Sequence, residues 1–340
     1  MTPRQDMTTE PEPTEPDARP GPEDLERAIL GQEVEFNALE VAAATGVTLA
    51  EARRLWRALG FPEHGVENAY TDADTEALST MISAVRADLF DFDLAVNLTR
   101  AVGQTMARLA DWEVSTLVSR VDELAAGPDS DEGRTGSALR LIEQIKGPFE
   151  DLLIYVWRRH LAAAVARVEA MRSNEEDLNT VQLTVGFADI VSFTALSNRL
   201  TEERIGDLVE LFESRCSDVV TVHGGRVIKS IGDSVLFVSE DPIGAYNIAE
   251  GIINVVGRDS RMPDIRLGLA TGSVVMRLGD VFGPPVNLAA RLTAVARRNR
   301  IIIDATTAGL LPDDEFETRR LPARPVRGFG IVEPLTVRRS

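Results

Sequence analysis

Three short segments of this 340-residue chain set acids, an amide and basic side chains where they can act together on a phosphorylated ligand. In Gly186-Phe187-Ala188-Asp189-Ile190-Val191-Ser192-Phe193-Thr194 an apolar run ends on an acid. Further along, Lys229-Ser230-Ile231-Gly232-Asp233-Ser234-Val235 puts a second acid in a Gly-Asp hairpin between two apolar runs. Carboxylates fixed on adjacent strand ends can share hard divalent cations, because Mg²⁺ commonly takes one or two carboxylates plus substrate phosphates. Two readings are open at this point, since Gly-Asp also makes an ordinary tight turn and Asp189 also suits a helix cap. The third segment runs from Gly279 to Leu292 and sets Asn287 and Arg291 four apart at the start of a predicted helix. At that spacing they share a face and can approach one ligand. An amphipathic helix with no such task does the same, and it is the three segments in this order that single them out.

The elements that must position these residues follow from periodicity. Val181, Leu183, Val185 and Phe187 alternate with Gln182, Thr184 and Gly186, which predicts a half-buried strand. Short strands are predicted at 226–230, 234–238, 265–271 and 301–303, with helices around 201–220, 242–257 and 287–297. The order strand, helix, two strands, helix, strand predicts a ferredoxin-like α+β core over residues 181–340. Before it, apolar residues recur at helical spacing from 25 to 172, so this part is expected to be all-α, its last helix running from about Pro148 to Ser173. Residues 173–180 read as a linker, and residues 1–24 as an acidic, proline-rich leader too poor in apolar side chains to offset the entropy of ordering.

Composition narrows the chemistry. With 36 Lys+Arg against 54 Asp+Glu the formal charge is −18, which argues against non-specific nucleic-acid binding. Cys216 is the sole cysteine, and His64, His160 and His223 are well spread, so a Cys- or His-based metal centre is not expected and any metal must sit on carboxylates. No apolar stretch approaches the ~20 residues that span a bilayer, and no secretory signal opens the chain, so a cytoplasmic protein is expected.

Taken together, the three segments resemble the class III nucleotidyl cyclase family over roughly residues 180–338. The resemblance implies that Asp189 and Asp233 bind two divalent cations, Mg²⁺ or Mn²⁺, with Ile190 lending its backbone carbonyl. It implies that Lys229 and Asp280 read the base, that Asn287 positions the ribose and that Arg291 stabilises the transition state. Adenine presents an acceptor at N1 and a donor at N6, which a Lys donor and an Asp acceptor complement, whereas guanine reverses that edge. The family's guanylate cyclases often carry Glu and Cys at these places, so the expected substrate is ATP and the expected product cyclic AMP. Arg327 falls where the family usually has lysine, and Arg277 precedes Gly279-Asp280; both are candidate polyphosphate ligands. In the family the site lies between two catalytic domains, so a homodimer through both halves is implied.

The helical half allows two roles. The segment 36–81 has a helix-turn-helix cadence, a short helix, Gly46 and a second helix with Arg53, Arg54 and Arg57, which would suit a DNA-binding regulator with a non-catalytic, nucleotide-sensing cyclase-like domain. The many acids around these arginines argue against it. The arrangement also resembles soluble actinobacterial cyclases whose N-terminal helical half restrains the catalytic half and senses pH, sometimes with lipid influence. On that reading residues 25–172 regulate and dimerise, and His160 in Trp157-Arg158-Arg159-His160 is the candidate proton switch, an unperturbed histidine titrating near neutrality.

Overall fold

The computed structural model describes residues 20–127, 133–173, 180–277 and 279–340. The expected leader up to residue 19 and most of the expected linker, 174–179, lie outside the described residues. The chain divides into two compact units, with the division inside one helix between Leu161 and Ala162.

The first unit is helical. It comprises α1 (Pro22–Leu30), α2 (Ala38–Thr45), α3 (Leu49–Leu59), α4 (Asp72–Arg86), α5 (Phe92–Ala125) and most of α6 (Gly133–Ser173). Sequence punctuation explains the short helices. Asn37 and Thr48 cap α2 and α3 through boxes closed by Glu40 and Glu51, and Gly46 and Gly60 end them in the left-handed conformation. Val41, Ala52, Leu55, Trp56, Tyr70 and Ile82 form the core of this unit, with the Trp56 and Tyr70 rings stacked at 4.3 Å. α5 crosses the end of α3 at Gly103, where a Cβ would fall 2.3 Å from the Leu59 carbonyl oxygen. The last helix starts earlier than its sequence predicts: α6 begins at Gly133 and carries Pro148 in its interior. A proline there removes one hydrogen bond and crowds the preceding turn without ending the helix, and the Gly147 before it leaves that turn uncrowded by a side chain. Among the described residues no helix is long and apolar enough to cross a membrane.

The second unit is a mixed sheet covered on both faces. In chain order it contains β1 (Thr180–Ile190), α7 (Phe193–Ser197), α8 (Glu202–Val222), β2 (Arg226–Ile231), β3 (Ser234–Ser239), α9 (Pro242–Arg258) and β4 (Ile265–Arg277). It continues with β5 (Asp280–Phe282), α10 (Pro284–Val295), β6 (Ile301–Ile303), α11 (Ala305–Leu310), β7 (Phe316–Arg320), β8 (Arg324–Val326), β9 (Gly330–Val332) and β10 (Leu335–Arg339). The sheet order is β2-β3-β1-β4-β6-β10-β7, with β5 folded back on β4 and β8–β9 forming a separate hairpin. The first four of these strands with α8 and α9 make the ferredoxin-like core.

β1 differs from its sequence expectation: it is buried on both faces. Val181, Leu183 and Val185 enter a core shared with Ala289 and Leu292 of α10. Ala188 and Ile190, of opposite parity, enter a second core with Phe212 of α8 and Ile252 of α9. Gly186 looks like a polar-face residue in the alternation, yet it makes room for a ring, because a Cβ there would lie 2.2 Å from Phe237. Gly268 does the same for α10. A Cβ on it would lie 2.4 Å from the Thr293 backbone nitrogen, so its absence lets that helix sit close on β4.

Candidate active site

The two metal-candidate acids sit at the same end of adjacent strands. Asp189 closes β1 and stands opposite Ser234 of β3 on one side and Arg266 of β4 on the other. Its Oδ1 accepts a hydrogen bond from Ser234 Oγ at 2.5 Å, and its Oδ2 accepts one from Arg266 Nε at 2.6 Å. Asp233 occupies the β2–β3 turn behind Gly232, whose φ of 60° a residue without a Cβ adopts freely. The Ile190 N–H donates to the Asp233 carbonyl at 3.1 Å, which fastens that turn to the end of β1. Burial raises the pKa of the Asp233 carboxyl above the ordinary carboxylate value, and the neighbouring Asp189 charge raises it further; a backbone hydrogen bond and Arg266 oppose both.

A second pair joins β2 to β5. Lys229 of β2 donates from Nζ to Asp280 Oδ2 at 2.5 Å, although 51 residues separate them. Asp280 opens β5, and its Oδ1 also accepts from the Val281 N–H at 2.8 Å. Burial pushes the Asp280 carboxyl up, but the hydrogen bonds from Lys229 and Val281 together with the lysine charge outweigh it and leave the group below its ordinary value. Asn287 and Arg291 lie one turn apart on α10, both exposed, and among the described residues neither side chain is tied up in a hydrogen bond or ion pair. Thus two acids at a strand end, a lysine–aspartate pair and an amide–guanidinium face all belong to one unit.

A model of the adenylate and guanylate cyclase catalytic domain matches residues 176–337. An adenylate cyclase of Streptomyces coelicolor is 36% identical over 97% of this chain and 93% of its own length. An adenylate cyclase of Glutamicibacter nicotianae is 39% identical over 91% of this chain and 80% of its own. The chain belongs to the adenylate and guanylate cyclase family. A pH-sensitive adenylate cyclase of Mycobacterium tuberculosis is also similar, 29% identical over 92% of this chain and 81% of its own length.

In this cyclase the carboxylates suit a divalent cation. Among the described residues no group of three or more His, Cys, Asp or Glu forms a metal cage, so a cation here would rely on Asp189, Asp233, a backbone carbonyl such as that of Ile190, and ligands from the substrate. The upward push of Asp189 on Asp233 is the like-charge repulsion that a cation between them relieves. Both donors are hard oxygens, as Mg²⁺ and Mn²⁺ prefer.

Arg266 was not visible as a site residue in the sequence. As well as its ion pair with Asp189, it donates from Nη1 to the Ala294 carbonyl at 3.1 Å, so it ties the acid-bearing strand end to the helix that carries Asn287 and Arg291. In Asp264-Ile265-Arg266-Leu267 it reads as the polar position of a strand, and only the antiparallel register of β1 with β4 puts it opposite Asp189. Arg277 ends β4 exposed and opposite Asp280 in the β4–β5 hairpin. Arg327 is exposed in the β8–β9 turn, off the main sheet. His160 is exposed on α6. The helix-turn-helix arginines all have acidic neighbours: Arg54 contacts Asp93 at 2.5 Å, and Arg53 and Arg57 approach Glu63 at 3.9 and 3.6 Å.

Proposed function

We propose that this cyclase converts ATP to 3′,5′-cyclic AMP and pyrophosphate as a cytoplasmic homodimer under control of its helical unit. The observation that carries the substrate is the Lys229–Asp280 pair, a donor and an acceptor held side by side. Opened around a base, it offers a donor to adenine N1 and an acceptor to N6, and it mismatches the guanine edge. The names of the S. coelicolor and G. nicotianae relatives support the same substrate.

Asp189, Asp233 and the Ile190 carbonyl would hold two divalent cations, Mg²⁺ or Mn²⁺, whose chemistry there is to acidify the ribose 3′-hydroxyl and neutralise triphosphate charge. Asn287 fixes the ribose so that its 3′-oxygen lies in line with the α-phosphate. Arg291 stabilises charge developing at that phosphate, and its exposure, with no ion pair among the described residues, leaves it available to a ligand. Arg277 and Arg327 bind the outgoing pyrophosphate end. In the homodimer the acids of one protomer face Lys229, Asp280, Asn287 and Arg291 of its partner, giving two equivalent sites. The helical unit acts on the relative placement of the two catalytic units, with protons or a lipid as the signal and His160 as the proton-responsive group; the pH-sensitive M. tuberculosis relative supports protons as the first signal to test.

The test is cyclic AMP formation from ATP and cyclic GMP formation from GTP, with Mn²⁺ or Mg²⁺, by the full chain between pH 5.5 and 8. ATP turnover that Asp189→Ala lowers at least ~100-fold is expected. Bound ATP without cyclic AMP would overturn the enzymatic reading, and preferential GTP turnover would overturn the base assignment.

A further inference from the structure

At the end of β2 and β3 opposite the Asp233 turn lies a cavity of about 240 Å³. Two guanidinium groups line it from different elements, Arg167 from the closing turns of α6 and Arg226 from the first position of β2. Both belong to the unit that begins at Ala162. Among the described residues neither guanidinium has a hydrogen bond or an ion pair. Arg226 is half-buried, and burial holds its pKa below the ordinary guanidinium value; the Arg167 charge lowers it further, and Glu240 offsets part of this. Two cations close enough to repel each other are stabilised by an anion between them. The acids nearby do not fill that place. Asp241 commits both oxygens to the start of α9, accepting from the Ile243 N–H at 3.1 Å and the Gly244 N–H at 2.8 Å. Glu240 is exposed and accepts no hydrogen bond from either arginine.

We infer that this cavity binds a small oxyanion of the phosphate class between Arg167 and Arg226, at a site separate from the catalytic one. Size excludes a nucleotide, since pockets for drug-sized ligands run from roughly 300 to 1,000 Å³, and leaves room for phosphate or pyrophosphate. Geometry favours a tetrahedral ion: each guanidinium is a planar fork of donors, and two forks reaching in from a helix and a strand meet oxygens that do not share one plane. His223, the residue that ends α8, lines the same cavity and brings a further ring nitrogen. Charge agrees. Asp241 faces the positive end of α9, which leaves two guanidinium charges against the one exposed carboxylate of Glu240, a positive cavity in a chain of formal charge −18. The position gives binding a consequence. Arg226 opens the strand that carries Lys229 and runs into the Asp233 turn, so a bound anion clips the end of α6 to a strand that leads into the candidate active site. Free phosphate and pyrophosphate, the product released in the proposed reaction, share this chemistry.

The test is calorimetric titration of inorganic phosphate into the full chain at neutral pH, without divalent cations and in chloride buffer of constant ionic strength. Its readout is binding, so it stands whether or not the chain turns over ATP. The wild type should bind phosphate saturably. Arg167→Gln and Arg226→Gln should each raise the dissociation constant at least ~10-fold, because each removes charge-assisted hydrogen bonds. Glu240→Gln should lower it about twofold or more by removing the competing charge. Arg291→Gln, in the candidate active site, should leave it unchanged. Glutamine suits a helix as well as arginine does, so Arg167→Gln keeps its fold, checked by circular dichroism, and decides the matter if the half-buried Arg226→Gln does not fold. Pyrophosphate titrated into wild type and Arg167→Gln separates the two sources. Binding at least ~10-fold tighter than phosphate that Arg167→Gln abolishes assigns the cavity to the product, and binding no tighter than phosphate assigns it to the free ion. Absence of saturable phosphate binding by the wild type below ~10 mM would overturn the site. So would binding that Arg167→Gln leaves intact, or that Arg291→Gln removes.

Discussion

The helical and catalytic units dispose of their apolar residues in opposite ways. Among the described residues up to Leu161, twelve apolar side chains are buried, all between Ala38 and Val96, while nineteen large ones are exposed. From Ala162 onward thirty-seven are buried and nine large ones exposed. The catalytic unit therefore has a core of its own on both faces of its sheet. The helical unit has a small core around α2, α3 and α4, beyond which α5 and α6 extend with their apolar residues uncovered. Burial of apolar surface is what stabilises a folded unit, so the first unit is stable around its small core and depends elsewhere on surfaces it does not itself supply. On the proposed reading of the helical unit as regulatory, contacts left to a partner can be made in more than one way, whereas the site-bearing sheet tolerates little rearrangement.

The largest expected effect tests that difference directly. Phe237 is completely buried against Gly186, so Phe237→Ala should cost ~3–5 kcal/mol through lost burial and the cavity left behind. Trp157 is 61% exposed, and Trp157→Ala should change unimolecular stability by no more than ~0.5 kcal/mol, in line with substitutions away from a core. Urea unfolding at two protein concentrations separates the cases: the Phe237→Ala loss is independent of concentration, and any loss in Trp157→Ala that arises through association shrinks on dilution. A large, concentration-independent loss in Trp157→Ala would mean that the helical unit has a core of its own there, and the contrast would fail.

The sequence shows the catalytic unit more clearly than the helical one, for the same reason. A sheet registers its needs locally: Val181, Leu183 and Val185 alternate, Gly232-Asp233 marks the hairpin, and Asn287 and Arg291 share a turn. The core strands and helices and the three motif segments were legible in these patterns. What was not legible depends on non-local register or two-sided burial. Gly186 looks like a polar-face residue until Phe237 crosses it, and Arg266 looks like a surface arginine until β4 pairs with β1. In the helical unit, periodicity shows that helices form but not where they start, because the interior Pro148 reads as a helix start. Nor does a helix's periodicity say whether its apolar stripe faces its own chain or another.

A middle-sized effect links packing to the site. Gly268 lets α10 lie against β4, and Gly268→Ala would put a methyl 2.4 Å from the Thr293 nitrogen. Backbone cannot yield as a side chain can, so the helix itself must shift. The expected cost is ~1–3 kcal/mol of stability, accompanied by at least a tenfold fall in cyclic AMP formation, because α10 carries Asn287 and Arg291. An unchanged turnover number with reduced stability would show that α10 is held in place by something other than this close approach, such as the link from Arg266 to Ala294.

A smaller effect concerns pH and says which unit responds to it. The folded state lowers the Asp280 pKa, so the Lys229–Asp280 pair stabilises the fold at any pH above the unfolded carboxylate value of ~3.9 and loses that contribution as pH falls through the lower folded value. Between pH 5.5 and 8 Asp280 stays ionised and its contribution stays flat. The difference in unfolding free energy between wild type and Asp280→Asn, expected to be ~1 kcal/mol or less for so exposed a pair, should therefore be constant over that range and shrink below about pH 4. If the difference changes between pH 6 and 8, the Lys229–Asp280 pair itself responds to pH, and the case for placing the proton response in the helical unit weakens.

The smallest effect belongs to the surface of the helical unit. Arg54 pairs with Asp93 at 2.5 Å, but the two side chains are 49% and 75% exposed, and Arg54 also lies over the Phe92 ring at 5.3 Å. Exposed pairs of this kind contribute little, so Asp93→Asn should move the thermal midpoint by about a degree or less. The same variant frees one arginine of the helix-turn-helix segment while leaving a net charge near −17. Fluorescence anisotropy with duplex DNA at physiological salt should show no gain in affinity, because one freed cation does not create the basic footprint that phosphate binding requires. Tight DNA binding by Asp93→Asn, absent in the wild type, would mean that acidic pairing masks a nucleic-acid surface, and the helical unit would then have a second role beside control of the cyclase.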